Sequence, residues 1–330
     1  MREGVILSFS NALTIFSSGG LVYPVRANAF RPIVACAALA ALMGAAGCGR
    51  GTGDAAAVAV APTPAPPSEK QYPLTGVVVS ADAKRKVLVV RHNAVPGYMG
   101  AMTMEFPVSA GDAAVARPGE LIRAQLIVDK AGNARLEQIW PDDKVSVDTV
   151  DAGLRMLNQD TFSKGGSAYR EIGDEIPQFV LYDQDGRVVD SARFRGTQVM
   201  LNFIYTRCPI ATMCPLSTQK MAETQKLAKG AGITHIQFVS ITLDSSYDTP
   251  GILRQYADER GIDTSNFSFL TGPASAIRDL LTQFGVIAEF NGNILDHTLA
   301  TLLIDEKGRV AWRADGSQWM PQEFVDRMHR

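Results

Sequence analysis

The fold is indicated most clearly by Gln198-Val-Met-Leu-Asn-Phe-Ile-Tyr205, which is followed directly by Thr206-Arg-Cys-Pro-Ile-Ala-Thr-Met-Cys-Pro215. Its first half is a nearly continuous apolar run, which predicts a strand buried on both faces. Residues 215–229 then have a helical pattern, with Pro215 suited to the first turn. A buried strand that passes through a short loop into a helix is typical of α/β folds.

The same alternation continues on both sides of this stretch. Predicted strands cover 178–182, 187–189, 237–242, 298–304 and 309–313, and predicted helices cover 249–259, 273–284 and 321–328. Turn sequences at 183–186 and 305–308 join two strand pairs as hairpins. This alternation of strands and helices, with a strand hairpin near the end, predicts an α/β thioredoxin-like domain over about 171–330.

The segment 71–147 has a different period. Short alternating or β-branched runs predict strands at 74–80, 86–91, 103–108, 121–128 and 134–140. About five strands in so few residues predict a small all-β, OB-like barrel. Residues 148–170 are interpreted as a connector between the two folded segments.

The N-terminus is predicted to be a signal peptide over 1–47. Residues 33–46 are almost wholly apolar, a run shorter than the roughly 20 residues that span a bilayer. The run ends in Ala45-Ala-Gly-Cys48, which resembles a bacterial lipobox, so we expect cleavage before Cys48 and lipidation of its sulfur. An ordinary cleavable signal is the alternative, and residues 1–24 are consistent with an over-long gene start.

The segment after the predicted signal peptide indicates a tethered protein, and the charge balance bears on its partners. Residues 48–70 are rich in Pro and Ala, which predicts an extended linker of roughly 3 Å per residue. The chain of 330 residues has a net charge of −2, a balance that argues against nucleic acid as a partner. The predicted location is the periplasmic side of a bacterial membrane, where thiols meet an oxidising environment.

Cys208 and Cys214 lie between the buried strand and its helix. The N–H groups and dipole of a helix N-terminus stabilise thiolates there, and Arg207 adds positive charge. A Cys208–Cys214 disulfide would close a loop of about seven residues and contribute roughly 2 kcal/mol, so structural stapling is a weak reason for the pair. Redox exchange or binding of a soft metal is the better explanation.

His297 follows Asp296 shortly before the last predicted hairpin. In a thioredoxin-like sheet this loop can fold over the strand–helix junction, so His297 can join two thiolates as a Cys₂His set for copper. A lone histidine is otherwise most often an ordinary hydrogen-bonded residue. Asp244 ends a predicted strand and could either support the site from outside the ligand set or cap the next helix.

A second set of soft ligands lies in Arg91-His-Asn-Ala-Val-Pro-Gly-Tyr-Met-Gly-Ala-Met-Thr-Met104. Met102 and Met104 are two apart, so on a strand their side chains share a face. Met99 lies in the Gly-rich approach, and His92 ends the preceding strand. Three thioethers and an imidazole suit Cu(I) or Ag(I), although methionine also fills gaps in cores.

This motif resembles the periplasmic copper- and silver-binding CusF family, whose pattern is a His followed by a Trp and then Met-Thr-Met-type ligands. The resemblance implies that His92, Met102 and Met104 are metal ligands. The family's Trp, which stacks on the metal, is absent. Met99 stands near its place, which suggests a further sulfur ligand instead.

The C-terminal segment resembles the Sco (SenC) family, copper-binding thioredoxin-like proteins that help assemble the dinuclear copper centre of cytochrome c oxidase. The shared pieces, in order, are Arg207-Cys-Pro with Cys214-Pro, Leu243-Asp244 with Asp248-Thr-Pro, and Asp296-His297. The resemblance implies a copper site of Cys208, Cys214 and His297. The family usually has three residues between the cysteines, whereas this chain has five.

These patterns predict a membrane-anchored copper chaperone for a copper-bearing subunit of cytochrome c oxidase. Such a role requires no turnover, so an enzymatic activity is not the leading expectation. One alternative is a thiol–disulfide oxidoreductase that reduces the oxidase's copper-ligand cysteines and leaves His297 idle. Another alternative is a copper-resistance buffer without a client.

Overall fold

The computed structural model describes residues 69–165, 168–291 and 294–329. The predicted signal peptide, Cys48 and nearly all of the predicted linker lie outside these residues. Among the residues described, no helix combines the length and apolar character needed to cross a membrane.

The N-terminal domain is a five-stranded antiparallel sheet. Its strands are β1 Lys70–Asp82, β2 Val87–His92, β3 Met102–Pro107, β4 Leu121–Val128 and β5 Ala134–Pro141. Their hydrogen-bonded order is β3-β2-β1-β4-β5, and the two edge strands approach each other. Alternate residues such as Leu74 and Val78 point inward and pack with Phe106 and Leu126. The predicted small all-β domain is confirmed.

Two helices differ from the sequence expectation. A short helix, α1 Ala110–Val115, joins β3 to β4, and a 21-residue helix, α2 Lys144–Lys164, occupies much of the predicted connector. The side chain of Leu157 is buried in the core of the C-terminal domain. Gly153 packs on Val180 so closely that a Cβ would lie 2.5 Å from the valine side chain. The α2 helix is therefore part of the packing of the C-terminal domain.

The C-terminal domain contains the remaining elements. Its strands are β6 Val180–Tyr182, β7 Val188–Asp190, β8 Gln198–Ile204, β9 Ile236–Thr242, β10 Phe267–Leu270, β11 Ala288–Asn291, β12 Ile294–His297, β13 Ala300–Ile304 and β14 Val310–Asp315. Its helices are α3 Cys214–Gly230, α4 Pro250–Glu259, α5 Ala274–Phe284 and α6 Pro321–Val325.

A mixed sheet in the order β10-β9-β8-β13-β14 forms the centre of this domain. The strands β8, β9 and β10 are parallel, whereas β13 is antiparallel to both β8 and β14. Every residue of β8 is buried, as the apolar run predicted. The α/β thioredoxin-like fold is thereby confirmed. The strand β10 and the β11–β12 hairpin were not predicted, and His297 consequently ends a strand and does not lie in a loop.

The two domains pack against each other through α1 and α4. A Cβ at Gly111 would lie 1.7 Å from the carbonyl oxygen of Gly251, and one at Gly251 would lie 2.1 Å from Oδ1 of Asp112. Gln138 Nε2 also donates a hydrogen bond to the Ser246 carbonyl at 3.2 Å. The Cβ at Gly251 would also lie 2.7 Å from the backbone nitrogen of Asp112, so neither position has room for a side chain.

Asp112 is buried at this interface. Its Oδ2 accepts a hydrogen bond from Ser109 Oγ at 2.6 Å. Burial raises the pKa of Asp112 to about 6, because the charged carboxylate loses its hydration there. The interface therefore contains a group whose charge depends on pH.

Candidate metal centres

The loop between β8 and α3 carries both cysteines. It leaves the C-terminal edge of the parallel strands, and α3 begins at Cys214 with Pro215 in its first turn. Backbone hydrogen bonds fold the loop on itself, from Cys208 N to Tyr205 O at 3.3 Å and from Met213 N to Ile210 O at 3.0 Å. Cys214 is buried and Cys208 is half-buried.

The β11–β12 hairpin brings His297 over this loop. His297 pairs with Ala288 at the end of the hairpin. Its Nε2 lies 3.4 Å from Cys214 Sγ and 4.0 Å from Cys208 Sγ. The three donor atoms all lie within 4.8 Å of one another. The structure thus brings together the three residues that the sequence selected from positions almost 90 residues apart.

The histidine is oriented to use Nε2 as a ligand atom. Its Nδ1 lies 3.0 Å from the Thr298 carbonyl oxygen. Because a carbonyl can only accept, Nδ1 carries the proton and Nε2 presents its lone pair to the sulfur atoms. The ring of Tyr205 packs edge-on against the imidazole, with 5.4 Å between centroids.

The two thiols differ in acidity. The hydrogen bond from Cys214 lowers the pKa of Cys208 to about 4. Donating that hydrogen bond, together with burial, raises the pKa of Cys214. One sulfur is therefore a thiolate at neutral pH, while the other holds a proton that a metal must displace. Both cysteines are free thiols here, and their disulfide stays a prediction for the oxidised protein.

Asp244 supports the residue that precedes Cys208. Its buried carboxylate accepts a hydrogen bond from Arg207 Nη2 at 2.6 Å and another from Ser246 Oγ at 2.6 Å. Arg207 also lies over the ring of Tyr247, 4.0 Å from the centroid. Of the two roles that the sequence left open for Asp244, the contacts fit support of the loop, since the N-cap of α4 is Thr249.

Asp248 is a contributor that sequence reasoning did not assign. It is fully buried, and its carboxylate accepts hydrogen bonds from the Thr206 N–H at 3.1 Å, from the Thr206 hydroxyl and from the Thr242 hydroxyl at 2.6 Å. These bonds fasten the start of the cysteine loop to β9. Burial raises the pKa of Asp248 to about 6. The sequence offered one signal for this role, the position of Asp248 just before Thr249-Pro250. The same position is equally typical of the start of a helix.

A groove of about 960 Å³ opens beside His297. Its lining includes Met213 and His297 from the region of the cysteine site, Tyr169 from the segment after α2, Leu299 from the link between β12 and β13, and Arg313 from β14. The groove gives a second molecule access to the imidazole side of the site.

In the barrel, His92 and Met102 face each other across β2 and β3. Residues directly opposite on antiparallel strands have side chains on the same face, and Met104 lies one such position further, opposite Val90. Met104 and Met99 are partly buried against the barrel core, whereas Met102 is 48% exposed. The predicted ligands therefore lie around one end of β2 and β3.

The side chain of His92 is prepared for a ligand. It is only 2% exposed, and its Nδ1 lies 2.7 Å from the Asn93 carbonyl oxygen. Its Nε2 is buried and has no hydrogen-bond partner among the described residues. An unpaired buried nitrogen costs about 1–3 kcal/mol, and coordination of a soft metal would offset that cost.

Comparisons with known families agree with both predicted resemblances. The model of the family described as SCO1/SenC matches residues 167–330. The model described as copper binding periplasmic protein CusF matches residues 71–141. The prediction of copper as the metal is confirmed by these two matches.

Similar structures have been solved. The chain is similar to a SCO1/SenC family lipoprotein from Bacillus anthracis, with 26% identity over 48% of this chain and 96% of that chain, at a TM-score of 0.45. It is also similar to ScoI of Bradyrhizobium japonicum, whose structure has copper bound, with 26% identity over 48% of this chain and 99% of that chain, at a TM-score of 0.40.

Sequence relatives match about 40% of the chain. A SCO2-like protein of Rickettsia typhi is 31% identical over 138 residues, which are 40% of this chain and 65% of that protein, less than two thirds of its length. A SCO2-like protein of Rickettsia conorii is 31% identical over 146 residues, 41% of this chain and 70% of that protein. With its cysteine–histidine centre in the matched region, the chain belongs to the SCO1/SenC family and carries a CusF-like barrel before the family domain.

Proposed function

We propose that this protein is a copper chaperone that holds Cu(I) at Cys208, Cys214 and His297. The observation that carries the proposal is the convergence of two sulfurs and one imidazole nitrogen within 4.8 Å. Two thiolates and an imidazole form a soft donor set that suits copper and is poor for Mg²⁺ or Ca²⁺. The hydrogen bond from His297 Nδ1 to Thr298 adds support, because it leaves Nε2 free to bind.

The barrel supplies a second Cu(I) site in this proposal. His92, Met102 and Met104 are its ligands, and Met99 is an additional sulfur donor. The unpaired Nε2 of His92 and the match to a copper-binding family support this assignment. The barrel captures copper, and the thioredoxin-like domain delivers it.

The proposed client is the copper-bearing subunit of cytochrome c oxidase. Proteins of the Sco family act in the assembly of this oxidase, which supports a client of that kind. Delivery would take place on the periplasmic side of a bacterial membrane. The groove beside His297 is accessible to a client that receives the metal.

One observation favours a second function, thiol–disulfide exchange. A cysteine with its pKa lowered to about 4 beside a protonated partner has the asymmetry of an exchange pair, in which one thiolate attacks. In that case the protein would reduce the copper-ligand cysteines of the oxidase, and His297 would have no ligand role.

Substitution of His297 distinguishes the two functions. The background is a full-length chain with Met99, Met102 and Met104 changed to Leu, here called the barrel-silent chain. For a chaperone, His297→Ala weakens Cu(I) binding and alters the X-ray absorption spectrum, while the cysteines still oxidise. For an oxidoreductase, His297→Ala is harmless and Cys208→Ser abolishes reductase activity. The control is His329→Ala, whose side chain is 74% exposed.

Anchoring through Cys48 completes the proposal and is tested separately. The support is the short apolar run that ends at Cys48, outside the described residues. Cys48→Ser should move the protein from the membrane fraction to the soluble fraction. Cys36→Ser is the matched control, because Cys36 lies within the predicted signal and should be dispensable. Continued membrane association of the Cys48→Ser chain would contradict the anchor.

A further inference from the structure

Met213 is the residue that immediately precedes Cys214, and the proposed function gives it no role. It occupies the N-cap position of α3 but makes no cap hydrogen bond through its side chain to the described residues. Thioether sulfur is a weak acceptor, so methionine is a poor choice for capping. Met213 is partly buried and packs against the core of the C-terminal domain, a role that any apolar side chain of similar volume could fill.

The backbone of Met213 is held on both sides. Its N–H donates to the Ile210 carbonyl at 3.0 Å, and its carbonyl accepts from Ser217 N–H at 2.9 Å. These bonds fix the point from which the side chain extends. Methionine has three rotatable side-chain bonds and a polarizable sulfur, so the sulfur can still adjust to a ligand while its Cα remains in place.

Met213 lines the groove beside His297. Met213 and His297 both line the groove of about 960 Å³, whereas neither cysteine is among the lining residues. Cys214 is buried and Cys208 is half-buried. On the groove side, the potential soft donors are thus His297 and Met213, and Met213 directly precedes Cys214 in the chain.

We infer that the Met213 thioether is a fourth soft donor to Cu(I), added from the groove side to Cys208, Cys214 and His297. This inference rests on the proposed copper function of that site. A thioether favours Cu(I) as a soft ligand, and it binds without releasing a proton, unlike the Cys214 thiol. Met213 therefore retains the monovalent ion at the mouth of the site.

The test uses the barrel-silent chain loaded with one equivalent of Cu(I), with and without Met213→Leu. Leucine conserves volume and apolar character, so a packing role would survive this change. We expect the rate of Cu(I) loss to bicinchoninate to rise about tenfold, in the range of a lost supporting contact at a metal site. X-ray absorption at the copper edge should show three sulfur neighbours in the parent and two in the variant.

Met156→Leu is the control, since Met156 is an exposed residue of α2. Equal rates and equal sulfur counts for the parent and Met213→Leu would overturn the inference and leave the chaperone proposal intact. If the barrel-silent parent binds no Cu(I), the proposed function fails and the inference fails with it. Selenomethionine labelling adds a direct readout, because selenium scattering at copper should be present in the parent and absent in Met213→Leu.

Discussion

The histidines of the two domains are prepared in the same way in two different folds. His92 ends β2 of the barrel and His297 ends β12 of the thioredoxin-like domain. In each, Nδ1 lies close to the carbonyl oxygen of the next residue, at 2.7 Å for Asn93 and 3.0 Å for Thr298. Each Nε2 is thereby left with a lone pair; that of His297 lies 3.4 Å from Cys214 Sγ, and His92 is paired across the strands with Met102. The sulfurs differ, because the barrel offers thioethers and the other site offers thiols.

This difference decides how each site responds to acid and to oxidants. A thioether carries no proton and forms no disulfide, so the sulfur ligands proposed for the barrel neither titrate nor pair with each other on oxidation. Cys208 and Cys214 are lost as ligands by oxidation to a disulfide. Cys214 must also release a proton to bind metal. The same imidazole geometry is therefore combined with sulfurs that cannot form a disulfide in one proposed site and with sulfurs that can in the other.

Acid should separate the two sites by the largest margin. The pKa of Cys214 is raised, so its thiol is protonated at neutral pH and each unit of acidification costs about tenfold in Cu(I) affinity. From pH 7 to pH 4 the barrel-silent chain should lose about a thousandfold through Cys214 alone, and protonation of its histidine ligand adds to that loss. Cys208, with its pKa lowered to about 4, adds to the loss only at the acidic end.

The matched measurement uses a full-length chain with Cys208→Ser and Cys214→Ser, which leaves the barrel site. Each chain has one histidine among its proposed ligands, so the cost of protonating an imidazole is common to both, and the barrel site should be spared the loss that Cys214 causes in the other chain. Anaerobic competition titrations with a Cu(I) chelator give both curves. Parallel pH dependence in the two chains would show that the sulfur assignments are wrong.

Much of this comparison could be predicted from the sequence because the relevant signals are local. The apolar run of β8 marks a buried central strand, and the cysteines follow it directly. The Met-x-Met spacing places two side chains on one face of a strand wherever that strand lies. His297 was predicted as a ligand from its position just before the last hairpin of a thioredoxin-like sheet, and the Sco resemblance agrees with that prediction.

The features that the sequence did not predict depend on contacts between segments that are far apart in the chain. The helix α1 has six residues, too few to show a hydrophobic period. The role of Asp248 depends on Thr206, 42 residues earlier. The need for glycine at Gly111 arises from the backbone of Gly251 in the other domain. No local pattern encodes such pairings.

Gly111→Ala tests whether the two sites belong to one rigid unit. The new Cβ would lie 1.7 Å from the Gly251 carbonyl oxygen, so α1 and α4 must separate or shift. Overpacking against backbone should cost about 3 kcal/mol of unfolding free energy. Calorimetry should show one transition for the wild-type chain and two for the variant, with both copper sites retained.

Gly230→Ala is the control for that substitution. Gly230 ends α3, and an added Cβ there would meet nothing within 4 Å. Alanine at this position should leave the unfolding profile unchanged or slightly more stable. A single unshifted transition for Gly111→Ala would mean that the domains are not held by the α1–α4 contact.

Asp112 makes the stability of this interface depend on pH. Burial raises the pKa of Asp112 from 3.8 in its ordinary state to about 6, so the folded protein holds this proton more tightly than the unfolded chain. The resulting stabilisation is complete below about pH 3.8 and is lost as pH rises through about 6. Asp112→Asn keeps the shape and has no proton to lose.

The stability difference between Asp112→Asn and the wild-type chain should therefore change by up to about 3 kcal/mol between pH 3.5 and pH 7. Urea unfolding at several pH values measures it. Asp148→Asn, which changes an exposed side chain, is the control and should give a flat difference. If the stability difference between Asp112→Asn and the wild-type chain also does not change with pH, the carboxyl of Asp112 is in contact with solvent.

The smallest expected effect concerns how each set of ligands is held. The barrel ligands His92, Met102 and Met104 lie on hydrogen-bonded strands, whereas Cys208 lies in a loop braced by the ion pair of Arg207 and Asp244. Arg207→Gln removes one side of that brace. Because Arg207 is half exposed, solvent screens the pair, and the loss should be about 1 kcal/mol. That corresponds to about a fivefold shift of the loop toward open conformations.

The rate of Cys208 alkylation under anaerobic conditions should rise by the same factor, while Cu(I) binding at the barrel stays constant. Lys144→Gln, which breaks an exposed ion pair on α2, should change neither measurement. An unchanged alkylation rate for Arg207→Gln would show that Asp248 and its threonine contacts hold the loop without help from the ion pair.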